Sequence, residues 1–488
     1  MCRAGLMYQD WGVRGKTDRM CFARSRLFSR GAVGTVCCTV LFLACRVRTP
    51  SSVPLRSGSV RAAVPEATSF HWRRYAGTRL RVCFPYHASY RALKAIVPEF
   101  ESLTGIAVEI DWLQYARMHD KQVLELSKPR GDYDLIAMLC TWKTEYASRG
   151  LLRSLDSFFQ NPSLCMPHYD FEDLIPVYVE TIGYVGGRKP WLGGPGAFLC
   201  AVPFGAETSI LAYRKDIFHK YRIKVPENYD ELLDACKRLR ERAQLYGLAS
   251  RGASGQQALH AYLLHAAPFG AKVLDDSLVP AFHRSRSIAT LRWMQEMFAY
   301  GPPGMASFAQ NEALQAFLQG QTGMYLDTNM IGPLVRDPTR SAIRPHHVGF
   351  ALHPMAQVRA GEVGGFGLAI PHNSAAPEAA FLLLQWITAP QTGRRVVEQG
   401  ALPFRQSQLA DRALRARFAE FEVLERQLAH CDPDWRPIVP TWGELGTLLG
   451  IGINEVLTGV SEPEEAMSAL VLPARRILRR HAHARYVP

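Results

Sequence analysis

The sequence predicts an α/β fold distributed over two lobes, and three observations lead there. The chain has 488 residues, 48% of them hydrophobic and 21% charged, a globular balance spread over too much chain for one hydrophobic core of ordinary size. From residue 80 onward, short runs of strand-like apolar pattern alternate with runs of helical period, the order that builds a mostly parallel sheet with helices against it. No interior stretch reaches the roughly 20 apolar residues that a membrane-spanning helix requires, so membrane attachment is expected only at an end.

Leu80, Val82 and Phe84 alternate with other residues over 80–84 and mark the first strand. A helical pattern over 90–103 and a second strand over 105–110 complete a strand–helix–strand unit. A further helical pattern near 120–126 leads into the apolar run 134–138, short enough to be a strand buried on both faces of a parallel sheet.

Ahead of this body, Arg24, Arg26 and Arg30 precede the apolar run 31–44, the charge-then-hydrophobic order of a secretory signal. The run ends in Leu41, Phe42, Leu43, Ala44 and Cys45, which resembles a bacterial lipobox, so Cys45 is the expected lipidation site although Phe42 departs from the usual Leu. Residues 1–44 are read as a signal peptide, with Met20 as an alternative start. Residues 45–77, rich in Ser, Pro, Arg and Ala, are read as a flexible stalk.

The formal net charge is +13, but residues 1–44 hold seven of the 57 basic and two of the 44 acidic residues, leaving +8 on the remainder. Those bases are scattered except for Arg475, Arg476, Arg479, Arg480 and Arg485 near the C-terminus. A groove that tracks nucleic acid needs a continuous basic face, so no nucleic-acid partner is expected. Of the eleven cysteines, Cys2, Cys21, Cys37 and Cys38 fall in the signal segment. Cys83, Cys140, Cys165, Cys200, Cys236 and Cys431 lack the C-x-x-C or Cys/His spacing of a zinc site. No metal or cofactor is expected, and these thiols read as buried, with room for one disulfide.

A set of local phrases then follows in order: GDYDLI at 131–136, YASRGLL at 146–152, AVP at 201–203, LAYRKDIF at 211–218, VPENYDEL at 225–232, GGFGLAIP at 364–371 and GALPFR at 400–405. Ala316, Phe317, Gly320 and the Gly323-Met324-Tyr325 strand entry, with the 454–470 helical segment, extend the pattern. Each phrase alone is weak; together, over about 80–470, they resemble the bacterial extracellular solute-binding proteins of family 1, the maltose- and multiple-sugar-binding group of ABC importers. The resemblance implies the two-lobed periplasmic-binding-protein fold (type II), with discontinuous lobes joined by three hinge crossovers near 204–209, 361–367 and 402–407. Lobe one is then expected to hold 78–206 and 364–403, and lobe two 207–363 and 404–488.

Ligands of open α/β sheets sit beyond the carboxyl ends of the strands. That rule and the resemblance nominate Tyr86, Trp112, Thr141, Trp142, Glu207, Asp327, Asn329, Gly365, Phe366, Arg405 and Trp442 as ligand-binding residues. Rings suit the apolar face of a sugar, and carboxylates accept charge-assisted bonds from hydroxyls. Met330 stands where maltose-binding members place a stacking Trp, and Arg405 admits an anionic solute such as glycerol phosphate.

The expected function is therefore capture of a sugar by a lipid-anchored, monomeric protein outside the cytoplasmic membrane, with ABC permease subunits as partners. A surface adhesin with a vestigial cleft is the other alternative. Glu207 with Asp327 has no spacing that specifies a glycosidase pair, no hydrolase or phosphate-loop signature appears, and no catalytic residue is assigned. His346 and His347 read as a solvated turn.

Overall fold

A computed structural model describes residues 70–480 and Tyr486. The signal peptide, the alternative start at Met20, the Cys45 lipidation site and most of the stalk fall outside the described residues. No described helix is long and apolar enough to cross a membrane.

Among the described residues there are ten strands: β1 (Arg79–Pro85), β2 (Ala107–Leu113), β3 (Leu135–Leu139), β4 (Tyr184–Val185), β5 (Phe198–Leu199), β6 (Val202–Arg214), β7 (Tyr246–Ala249), β8 (Thr322–Thr328), β9 (Val348–Ala351) and β10 (Val363–Ala369). β2, β1 and β3 pair in parallel, and β10 runs antiparallel between β3 and β6. β6 continues into a second group, antiparallel to β8 and to β9, with β7 parallel to β8. Residues 202–208 of β6 face β10, and residues 208–214 face β8 and β9. One 13-residue strand thus belongs to both lobes.

The strands form where their side chains bury. Leu80, Val82 and Phe84 of β1 and Leu135, Ile136, Ala137 and Met138 of β3 are inaccessible to solvent, as expected of strands covered by helices on both faces. All seven residues of β8 and of β10 are buried. The helical run read over 90–103 is two helices, Ala88–Leu93 and Val97–Thr104. Pro98 lies in the first turn of the second, where its missing N–H costs nothing; in a continuous helix it would clash with the preceding turn.

The stalk expectation is corrected at its C-terminal end. Phe70, Trp72 and Tyr75 pack on the body, the Tyr75 hydroxyl donates to Glu378 Oε2 at 2.6 Å, and Gly77 N donates to Gly105 O at 2.8 Å. Aromatic side chains with a core to cover do not stay in a linker. The folded body therefore includes residues from Phe70 on. The six cysteines outside residues 1–45 are free; burial raises the thiol pKa of Cys83, Cys200, Cys236 and Cys431 to about 12.

In lobe two a buried chain of polar groups runs from the hinge into the core. Glu362 N donates to Ser209 Oγ at 2.9 Å, Ser209 Oγ lies 2.8 Å from His353 Nδ1, and the Tyr229 hydroxyl bridges His353 Nε2 at 3.0 Å and His265 Nδ1 at 2.9 Å. Burial lowers the pKa of His265 and of His353 to about 3. Unfolded, each histidine takes up a proton below about pH 6.5. Between these values the unfolded chain binds more protons than the folded one, so stability is full above pH 6.5 and falls as pH drops towards 3. Thermal unfolding followed by circular dichroism is expected to show a midpoint that declines steadily below pH 6.5; a midpoint flat down to pH 4 would contradict neutral buried imidazoles.

Candidate binding site at the strand crossing

The carboxyl ends of β1, β2 and β3 converge on the place where β6 leaves one sheet for the other. His87, just past β1, caps the helix Ala88–Leu93, its Nδ1 accepting from Ser89 N at 3.2 Å. Its Nε2 lies 3.1 Å from Glu207 Oε1, both side chains being largely buried. After β2, Tyr115 stacks on Trp142 with ring centroids 5.9 Å apart and planes 16° apart. Tyr115 keeps 47% of its surface exposed yet stands among many neighbours: burial raises its hydroxyl pKa while Arg251 and Arg436 pull it down. A ring both surrounded and accessible faces the lumen of a cleft.

Trp142 owes its position to the next residue. Lys143 is fully buried, and its ammonium donates to Thr181 O at 2.6 Å and Tyr184 O at 2.8 Å, satisfying carbonyls at the end of the helical turn Val179–Gly183. Burial lowers its pKa to about 8.

Lobe two contributes a compact ionic group. Arg251, two residues past β7, binds Asp327 of β8 with both ends of its guanidinium, at 2.7 and 2.6 Å. Burial pushes the Asp327 carboxyl pKa up, but Arg251 and His260 more than reverse this and hold it well below the usual range. His260, on the helix Gln256–Ala266, places Nε2 at 3.0 Å from Glu362 Oε2 and 3.3 Å from Asp327 Oδ1. Burial and Arg251 oppose its protonation, and the two carboxylates outweigh them and raise its pKa. Arg436 approaches Glu362 Oε1 at 3.9 Å.

The ligand atoms of His260, Asp327 and Glu362 lie within 4.8 Å of one another, the spacing of a metal site. The guanidinium of Arg251 occupies both Asp327 oxygens, so a metal ion would have to enter beside a fixed positive charge. Arg251 and His260 already stand against these carboxylates without one.

Several buried polar atoms in this region have no aligned hydrogen-bond partner: His260 Nε2, Glu362 Oε2, the Tyr325 hydroxyl, Asn329 Nδ2 and Arg436 Nε. Buried groups of this kind are ordinarily paired, by water or ligand if not by protein. Tyr325, Asp327 and Asn329 share one face of the β8 segment, being two residues apart. Donors and acceptors thus gather from both sheets around the crossing.

Gly365 shapes the crossing. Its φ is +88°, and a Cβ there would sit 2.5 Å from Gly205 O and 2.9 Å from the Ala206 Cα. The β6–β10 register slips between Gly365 and Gly367, a bulge that kinks the strand where the lobes meet.

The structure sorts the residues nominated from sequence. Tyr86, 58% exposed, stacks on half-buried Trp112 at 5.9 Å. Thr141 and Trp142 are half-buried in the turn after β3, and Glu207 meets His87. Four nominations need correction. Arg405 is fully buried and donates to Thr388 O, Asp170 O, Tyr169 O and Asp173 Oδ2 at 2.7–3.1 Å; it cross-braces lobe one, with four of its five N–H donors engaged and no surface open to an anionic solute. Asp327 has both oxygens taken by Arg251, so it positions that guanidinium. Trp442, 3% exposed, and Phe366, packed against His87 and Tyr90, are core residues.

Asn329 ties β8 to β6 through Thr208, its Oδ1 accepting from Thr208 N at 3.1 Å. Tyr115, Arg251, His260, Glu362 and Arg436 were not singled out from sequence. Tyr115 follows a strand end, the signal that found Trp112; β7 is only four residues long, too short to register as a strand. A cavity of about 420 Å³ lined by Phe159, Met166, Tyr169 and Phe171, among others, lies in lobe one and includes none of these charged groups.

A sheet pair sharing one strand, with aromatic and ionic side chains converging at the crossover, is the architecture of a two-lobed solute-binding protein. Residues 85–394 match the model of the bacterial extracellular solute-binding proteins, and the chain belongs to that family, whose members bind solutes outside the cytoplasmic membrane for import. It is 25% identical over 405 residues to the mannitol-binding protein of Pseudomonas aeruginosa, covering 78% of this chain and 88% of that protein. It is also 25% identical over 401 residues to the erythritol/L-threitol-binding protein of Mycolicibacterium smegmatis, covering 79% and 81%. Among solved structures, a solute-binding protein of Agrobacterium radiobacter K84 in complex with ribitol superposes with a TM-score of 0.74 at 24% identity, covering 82% of this chain and 99% of that one.

Two substitutions separate framework from site. Arg405→Met is expected to lower stability by about 3 kcal/mol, because three carbonyls and Asp173 lose their donor, while solute affinity of the folded protein stays unchanged. Arg251→Leu, which leaves Asp327 buried and unpaired, is expected to cost about 3–5 kcal/mol and to abolish binding as well. Urea unfolding with parallel titration calorimetry checks both; an Arg405 variant that folds normally but binds weakly would return Arg405 to the site.

Proposed function

We propose that this protein captures a neutral polyol or sugar between its lobes and delivers it to an ABC permease, held at the membrane by lipid on Cys45. The observation that carries the reading is the set of buried polar atoms without a partner on Tyr325, Asn329 and Arg436, beside the His260–Glu362 pair and near the stacked Tyr115–Trp142 pair. Hydroxyl groups both donate and accept, and so serve such a mixed set; the C–H faces of a polyhydroxylated chain or ring suit aromatic stacking.

The charges argue for a neutral solute. Arg251 and Arg436 stand against Asp327, Glu362 and Glu207, and Arg251 is consumed by Asp327. An anionic solute would meet no uncommitted excess of positive charge, and Arg405, the residue that suggested one, is sealed in lobe one. The ligands named for the related proteins, mannitol and erythritol or L-threitol, are neutral polyols, and the lack of a stacking Trp at Met330 fits a ligand smaller than maltose.

A thermal-shift panel of D-mannitol, ribitol, erythritol, maltose and glycerol 3-phosphate tests the class. At least one neutral polyol or sugar is expected to give a saturable rise, worth about 2.7 kcal/mol at a hundredfold excess over Kd. Trp142→Ala is expected to weaken that solute roughly tenfold or more, since each tenfold is about 1.4 kcal/mol. A shift with glycerol 3-phosphate alone would contradict the neutral-solute reading, and no shift with any solute would favour a cleft without transport function.

A further inference from the structure

Besides the strands that cross between the lobes, a loop of lobe one reaches lobe two. The loop 186–196 joins β4 to β5 and is rigid in its own right: Gly186 N donates to Pro190 O, Gly187 N to Leu192 O and Arg188 N to Gly193 O, each at 3.0 Å. A Cβ on Gly187 would lie 2.3 Å from the Gly193 carbonyl carbon, so its two arms touch. Glu180 anchors it to lobe one, accepting from Gly193 N at 2.9 Å and pairing with Arg188 at 2.7 Å.

From this base the tip extends across. The Lys189 ammonium lies 2.5 Å from Asp434 Oδ2 and 3.4 Å from Asp276 Oδ1, and Trp191 Nε1 donates to the other Asp434 oxygen at 3.1 Å. Asp276 sits between the lobe-two helices Gln256–Ala266 and Ser285–Phe298. Asp434 precedes Trp435 and Arg436, of which Trp435 Nε1 donates to Val363 O at 2.8 Å and Arg436 faces Glu362. Tyr486, which follows the lobe-two helix Val471–Arg479 in the chain, packs on Gly186. The Lys189 and Asp434 side chains retain only 24% and 26% exposure, and Trp191 is fully buried, so this contact is less screened than a surface ion pair.

We propose that the loop 186–196 is an interlobe clasp, in which Lys189 and Trp191 grip Asp434, with Asp276 assisting, and thereby set how tightly the protein holds its solute. The inference rests on the reading that capture proceeds by lobe closure. Contacts made only in the closed form bias the open–closed equilibrium, and apparent affinity scales with the closed population. Lys189, Trp191 and Asp434 are separate from the unpaired polar atoms assigned to the solute, so they act on affinity through closure alone.

The test uses wild type, Asp434→Asn, Lys189→Ala and the reciprocal pair Lys189→Asp with Asp434→Lys, checked for folding by circular dichroism. Each is titrated calorimetrically with the polyol or sugar that shifts the wild type, at low and at high salt, and free and saturated forms are measured by small-angle scattering. Each single variant is expected to bind roughly tenfold more weakly, with a smaller salt dependence than wild type, and the charge-reversed pair is expected to recover part of the loss. The free single variants are expected to be more expanded than wild type and to need more solute to contract. Single variants that bind within twofold of wild type and contract at the same solute concentration would overturn the clasp. A wild type that binds no solute would instead overturn the capture reading; in that event a free Asp434→Asn protein no more expanded than free wild type would overturn the clasp as well.

Discussion

One backbone segment carries hydrogen bonds for two sheets. Residues 202–208 of β6 are committed to β10, and 208–214 to β8 and β9, so rotation of one lobe against the other has to be absorbed within a few residues of Thr208. Gly205 and Gly365 face each other there, both with positive φ, in conformations that side-chain-bearing residues rarely adopt. Asn329 fastens the next turn, giving N–H to Thr208 O and taking Thr208 N–H on its amide oxygen. The binding site follows from this constraint: strands that share an edge must end beside one another, and the side chains just past their ends become neighbours.

What gathers at the crossing is an ionic group that is nearly complete in itself. The bidentate Arg251–Asp327 pair offsets the desolvation of both partners, which an imperfect buried pair does not. Around it stand the His260–Glu362 pair and, with hydrogen-bonding capacity unspent, Tyr325, Asn329 and Arg436. Fixed charges balanced among themselves, surrounded by unspent neutral capacity, select against a charged ligand and for hydroxyls. The aromatic pairs Tyr86–Trp112 and Tyr115–Trp142 belong to lobe one and the ionic group to lobe two, so a solute that touches both couples binding to closure.

Much of the architecture was legible in the sequence because burial imposes periodicity. β1 and β3 fall where alternation and a continuous apolar run place them, within a few residues, β8 and β10 fall where the family resemblance places them, and the ordered phrases from 131 to 405 identify the family. Legibility failed where the outcome depends on a partner distant in sequence. Arg405 follows a hinge-like Pro403, yet its environment is set by the carbonyls of Tyr169 and Asp170, which no local pattern reveals. Asp327 was recognised as polar at a strand end, but its commitment to Arg251 required knowing that β7 lies alongside β8. Pro98 divided a helix that apolar spacing alone ran together, and Phe70, Trp72 and Tyr75 docked where composition suggested a linker.

The central claim is that a neutral polyhydroxylated solute closes two lobes about β6. Small-angle X-ray scattering with and without a saturating polyol or sugar tests it most directly. The account predicts a smaller radius of gyration for the saturated protein; an identical radius in both states, with binding confirmed calorimetrically in the same sample, would contradict it.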